Sequence, residues 1–69
     1  MRIQIRYTTP TAKKGRRLGR MDTLSIFMKF FDCADTSWKL YTSAMEEVRS
    51  GHDTTVHLAP GHAVQFTSK

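Results

Sequence analysis

The sequence contains a single cysteine, Cys33, so no disulfide can form within the chain. One cysteine also excludes a zinc site built from several thiolates. Without such crosslinks, a core of this size has to be held together by packing, to which dimerisation can add stability. We expect Cys33 itself to be a small buried apolar side chain.

Long hydrophobic runs are absent as well. The longest apolar stretch falls far short of the roughly 20 residues that a membrane-spanning helix requires. Residues 1–6 alternate between apolar and polar types and lack the continuous apolar region of a signal peptide. We therefore expect a soluble, cytoplasmic protein that has no membrane partner.

The sequence also lacks the motifs of phosphate-binding loops, nucleophile elbows and zinc proteases. The three histidines, His52, His57 and His62, do not have the spacing of a common zinc site. No histidine is placed by the sequence to act as a base for Cys33. We predict no catalytic residue, no metal and no cofactor, and hence no enzymatic activity.

Acidic residues are few: six of them stand against eleven Lys and Arg, which gives a net charge of +5. Five cations fall within residues 13–20, which we call the basic segment: Lys13, Lys14, Arg16, Arg17 and Arg20. Residues 10–22 contain two glycines and a proline and show no apolar period. This pattern predicts a flexible basic loop over residues 10–22. Such a charge cluster favours an anionic partner, and the alternative is a loop that is merely kept soluble by its charge.

Two segments show the alternation of half-buried strands. Residues 1–8 place apolar and polar side chains on opposite sides until Pro10, which ends the strand. Residues 23–31 place Leu24 and Ile26 on one side and Phe27 and Phe31 on the other, and most of the segment is aromatic or aliphatic. We predict a strand for each segment.

From Asp32 the apolar spacing becomes that of a helix. The apolar stripe consists of Ala34, Trp38, Tyr41, Ala44, Met45 and Val48. Asp32 or Asp35 can cap the N-terminus, and Gly51 stands where the helix should stop. This spacing predicts that Trp38 and Tyr41 belong to the core rather than to a ligand platform.

The last fifteen residues before the C-terminus predict a hairpin around Pro60. A two-residue loop would mix apolar and polar side chains on one face. A three-residue loop over 60–62 places Leu58 opposite Val64 and Val56 opposite Phe66, so we predict that register. It turns His57 and Gln65 onto the other face.

These elements predict one domain over residues 1–69, because a chain this short buries only about 60% of its unfolded surface and cannot divide it between two cores. The predicted fold is an α+β two-layer sandwich with the order ββαββ, in which one helix covers one face of a four-stranded, mostly antiparallel sheet. The other sheet face should be open. It should carry these side chains: Arg2, Gln4, Arg6, Ser25, Phe27, Lys29, Phe31, His57 and Gln65.

Aromatic rings among cations on an open sheet suit single-stranded nucleic acid. Phe27 and Phe31 would stack on bases, while Arg2, Arg6 and Lys29 would bind phosphates, and the basic segment would extend the track. We therefore predict a non-enzymatic module that docks on nucleic acid or a nucleoprotein complex. The alternative is a protein interface without nucleic acid, in which Phe27 and Phe31 are buried against a second copy or another protein.

In its small size, basic charge and lack of catalytic motifs, the chain is similar to accessory and inhibitor proteins of phages and other mobile elements, including some anti-CRISPR proteins. The similarity covers size and composition and includes no residue pattern. It implies a host protein or a nucleoprotein machine as the partner.

Overall fold

A computed structural model of the chain describes residues 2–11 and 14–68. In these residues four strands and two helices follow one another in the order ββααββ: β1 Ile3–Thr8, β2 Arg16–Arg17, α1 Arg20–Phe31, α2 Ala34–Arg49, β3 Thr54–Ala59 and β4 His62–Ser68. The α+β class is confirmed. The predicted order ββαββ is not, because residues 23–31 lie within helix α1, and the second strand along the chain is instead the two-residue edge strand Arg16–Arg17.

The strands form one antiparallel sheet in the order β2-β1-β4-β3. In the centre of the sheet, Ile5 of β1 pairs with Phe66 of β4, and Tyr7 pairs with Val64. Directly paired residues of antiparallel strands share a face, so these side chains form one apolar face. Ile5, Val64 and Phe66 are buried beneath the helices, and we call this the inner face.

The C-terminal hairpin has a different register from the predicted one. Ala59 pairs with His62, so the loop consists of Pro60 and Gly61 alone. An irregularity between His57 and Ala59 then shifts the register, so that Val56 lies opposite Val64. The predicted partners are therefore wrong, while the predicted exposure of His57 and Gln65 is confirmed.

Segment 23–31, in which six of nine residues are apolar, satisfies a helical period as well as an alternating one, and it forms part of helix α1. Thr23 and Phe27, four residues apart, are both fully buried, as one helix face requires. Asp22 in the first turn and Lys29 in the last complement the helix dipole. Asp32 ends the helix in a left-handed conformation, with φ at 50° and its N–H donated to the Met28 carbonyl.

The core lies between the inner face and the two helices. The Phe27 ring packs against the rings of Phe66 and Phe31, with centroid separations of 6.5 and 6.3 Å. Phe27, Phe66, Val48 and Val64 have no exposed surface. The sheet is therefore covered on one face by two helices rather than by the single helix that we predicted.

Helix α2 confirms the one helix that the sequence predicted, and Tyr41, Ala44 and Val48 of its apolar stripe are buried. Its N-cap is Cys33, without a side-chain cap, so neither Asp32 nor Asp35 has the predicted role. Cys33 is exposed rather than buried, because it lies in the turn between the helices. Gly51, with φ at 92°, follows the helix end as predicted.

The burial of Phe27 can be tested by mutation. Phe27→Ala should lower the free energy of unfolding by about 3–5 kcal/mol, because it removes a fully buried ring and leaves a cavity. That loss approaches the whole stability of about 3–10 kcal/mol expected for this length, so Phe27→Leu provides a milder variant. Urea unfolding followed by circular dichroism measures both. Met21→Ala, in the same helix but at a 74% exposed position, is the control, and equal losses for Phe27→Ala and Met21→Ala would contradict the fold.

Candidate nucleic-acid interface

The face of the sheet opposite the helices is made of polar and basic side chains. The strand registers place these residues on it: Gln4, Arg6, Thr8, Arg17, Thr55, His57, Ala63, Gln65 and Thr67. We call this set the outer face. Both helices pack on the inner face, so within the described part of the chain no helix covers the outer one.

Charge is divided unequally between the helices and the rest of the chain. Residues 20–49, which form the helices and their connection, contain four cations and five anions, a net charge of −1. All other positions together contain seven cations and one anion, a net charge of +6. Among the described residues, no strand contains Asp or Glu. The excess positive charge therefore lies outside the helices and their connection.

Two arginines lie directly opposite each other on the outer face. Arg6 of β1 pairs with Arg17 of β2, and neighbouring side chains at such positions have Cβ atoms about 4.5–5.5 Å apart. The Arg6 guanidinium also donates to the Lys14 carbonyl across 3.2 Å, which ties the intervening turn to β1. Like charges at this spacing repel each other, so the pair favours an anion that binds between them.

Three of the described cations of the basic segment lie in regular secondary structure. Lys14 lies in the β1–β2 turn, Arg16 and Arg17 form β2, and Arg20 begins α1. Gly15 has φ at 79°, and a Cβ there would lie 3.2 Å from the Thr8 Cγ2 atom, so the turn folds closely onto β1. The prediction of a structureless loop over residues 10–22 is therefore wrong for 16–17 and 20–22. Lys13 lies outside the described residues.

The predicted aromatic platform does not exist on the sheet. Phe27 points into the core, Phe31 is half-buried beside it, and Lys29 is exposed on α1 together with Ser25. The helical conformation is the physical reason: it turns Phe27 into the core while Ser25 and Lys29, which would share its face in a strand, are exposed. Of the predicted framing cations, Arg6 lies on the outer face, and Arg2 is exposed immediately before β1.

An aromatic side chain that the sequence placed in the core is instead at the surface. Trp38 is 45% exposed, and the Arg20 guanidinium carbon lies 4.9 Å from the centre of its ring. Both residues line an open groove of about 240 Å³, which we call the Trp38 groove. Its lining consists of Arg20, Trp38, Tyr41, Thr42, Met45, Glu46 and Arg49. The apolar stripe of α2 alone did not predict this groove. Arg20 lines the groove from helix α1, whereas residues 23–31 were predicted to form a strand.

Among the remaining reactive side chains, Tyr7 and His62 contact each other. The Tyr7 hydroxyl is 3.0 Å from the His62 Nδ1 atom, and the Phe30 ring lies beside His62. A side-chain hydrogen bond from Thr36, followed in size by one from its backbone, lowers the pKa of the Cys33 thiol. Within residues 2–11 and 14–68, no three His, Cys, Asp or Glu side chains are grouped so as to hold a metal ion.

Comparison with known proteins identifies no relative of this chain. The chain matches no protein-family model, no curated protein sequence and no solved structure. Neither helix of the described chain is long and apolar enough to span a membrane. The geometry and charge of the surface are therefore the basis for the function proposed below.

Because Arg6 and Arg17 repel each other, removing one of these charges should stabilise the fold. Arg17→Gln should raise the free energy of unfolding by roughly 0.2–1 kcal/mol at low salt, because it removes one of two directly opposed like charges. The gain in unfolding free energy should shrink in about 1 M salt, where the Debye length is only about 3 Å and the repulsion is screened. Urea unfolding at both salt concentrations measures it. Lys39→Gln, at an exposed site on α2, is the charge-matched control, and an equal gain there would assign the effect to net charge instead.

Proposed function

We propose that the chain is a non-enzymatic binding module that docks on nucleic acid, alone or within a nucleoprotein complex, through its outer face and the β1–β2 turn. The observation that supports it is the opposed pair Arg6 and Arg17 on a sheet whose described strands carry no acidic side chain. A phosphate placed between the two guanidiniums would remove their repulsion and accept hydrogen bonds from both.

The rest of the outer face fits the same kind of partner. Contacts to a nucleic-acid backbone come from Arg and Lys and also from Thr and Gln, which make up most of this face. Four strands spaced about 4.8 Å apart give a polar surface about 14 Å wide. Such a surface can follow several successive phosphates while Lys14 and Arg16 contact the strand at the sheet edge.

The alternative interface predicted from the sequence loses its basis. It required Phe27 and Phe31 to be exposed together, whereas Phe27 has no exposed surface. A second copy of the chain therefore cannot use the Phe27 ring without unfolding α1 from the sheet. The cations of the outer face would suit an acidic protein as well, and the oligonucleotide titrations below separate that partner from nucleic acid.

Salt dependence tests the electrostatic part of this proposal. If Arg6, Lys14, Arg16 and Arg17 each neutralise one phosphate, the slope of log K against log salt should be about −2.8 for a single strand and about −3.6 for a duplex. Fluorescence anisotropy of labelled oligonucleotides at several salt concentrations measures the slope. A flat response, or no binding to either oligonucleotide at low salt, would reject nucleic acid as the partner.

Charge reversal tests the location of the surface. Arg17→Glu should weaken oligonucleotide binding about tenfold or more, because a hydrogen bond to a charged group contributes about 1.5–3 kcal/mol. Lys39→Glu makes the same change in net charge on helix α2 and should change binding far less. Anisotropy titrations at one salt concentration compare the two variants, with circular dichroism to verify folding. Equal weakening by both would leave net charge, and not the outer face, as the cause of binding.

A further inference from the structure

The indole of Trp38 lies at the surface and packs on a buried aromatic side chain. It stacks on the Tyr41 ring, with centroids 6.2 Å apart and planes inclined by 29°. Tyr41 is buried and meets the ring of Phe66 edge-on, also at 6.2 Å. The largest aromatic side chain of the protein is therefore anchored to the core through one neighbour while almost half of its surface remains exposed.

The groove around Trp38 combines an aromatic surface with cations and hydrogen-bond acceptors. The Arg20 guanidinium lies over the indole, and Arg49 contributes a second cation to the lining. Glu46 adds a carboxylate. The Thr42 hydroxyl donates to the backbone carbonyls of Trp38 and Lys39, at 3.0 and 3.1 Å, which leaves its oxygen free to accept. This set suits a ligand that has a flat ring, N–H donors on its edge and an attached anion.

The size of the groove limits what can enter it. A volume of about 240 Å³ is below the range of roughly 300–1,000 Å³ typical of pockets for drug-sized molecules. It suits one base rather than a larger ligand. A base within a duplex has both faces stacked and its edge paired, so only an unpaired base can enter.

The groove adjoins the basic segment. Arg20 follows Arg17 by three residues, so their Cα atoms lie at most about 11 Å apart. The intervening Leu18 is buried and donates its N–H to the Ile5 carbonyl at 2.9 Å, which fixes this stretch against β1. A strand whose phosphates contact Arg17 can therefore reach Arg20 within a short length of backbone.

We propose that the Trp38 groove binds one unpaired base of a single-stranded nucleic acid: the base takes the place of the Arg20 guanidinium on the indole, and Arg20 and Arg49 contact the neighbouring phosphates. This assignment rests on the proposed function and deepens it, because it makes single strands rather than duplexes the preferred partner. Glu46 and Thr42 would accept hydrogen bonds from the base edge.

Trp38 is the sole tryptophan of the chain, so its fluorescence reports directly on the groove. A mixed-sequence 12-nucleotide single strand should quench this fluorescence on binding, and the matching duplex should bind more weakly without quenching. Trp38→Ala should weaken single-strand binding about 5- to 150-fold, the range that corresponds to loss of one base stack. Trp38→Phe should restore much of the loss, because a phenyl ring also stacks. Anisotropy of the labelled strand measures both variants.

Phe30→Ala is the control, since Phe30 is an exposed aromatic of similar accessibility, at 37%, and does not line the groove. It should leave single-strand affinity unchanged, with folding of every variant verified by circular dichroism. Two results would overturn the groove assignment and leave the outer-face proposal intact. One is binding that is lost in Arg17→Glu but unchanged in Trp38→Ala. The other is a duplex that quenches the fluorescence as strongly as the single strand. Absence of binding to either oligonucleotide would overturn both.

Discussion

The contact between the Phe27 and Phe66 rings joins helix α1 to the inner face of the central strand β4, and the division of the molecule into two layers depends on it. Both rings are completely buried, and Val48 of α2 and Val64 of β4 are buried in the same cluster. Because this packing covers one sheet face with both helices, alternation along the strands sends Arg6, Arg17 and most of the polar strand side chains to the opposite face. The core thereby determines which surface carries the positive charge.

The two surfaces that we associate with nucleic acid differ in chemistry and are connected along the chain by residues 17–20. The outer face offers guanidiniums, amides and hydroxyls, which suit a phosphate backbone, whereas the Trp38 groove offers an aromatic surface beside Arg20. The short β2 strand and the buried Leu18 connect them, since this stretch runs from the Arg6–Arg17 pair to the first residue of α1. Backbone contacts alone would not separate a single strand from a duplex, but an aromatic site that requires an unpaired base can do so.

Several elements could be predicted from local patterns, and others could not. Helix α2 has apolar and polar residues on opposite sides, so a single period describes it. Segment 23–31 is apolar at six of nine positions and satisfies both periods, and packing of the buried Phe27 against Phe66 of β4 favours the helix. Strand β2 has only two residues and acquires its conformation by pairing with β1. The hairpin register depended on an irregularity near Leu58 that permits a two-residue loop.

By itself the sequence determined the composition of the surfaces: a dense basic segment, strands without acidic residues at 1–8 and in the C-terminal hairpin, and one helix with a clear apolar stripe. Only the tertiary structure decided which of these side chains are neighbours. Arg6 meets Arg17 through a chain reversal, and Arg20 meets Trp38 through the packing of α1 against α2. The physical reason is that periodicity reports which side of an element a residue occupies, whereas contacts between elements depend on how their buried faces fit together.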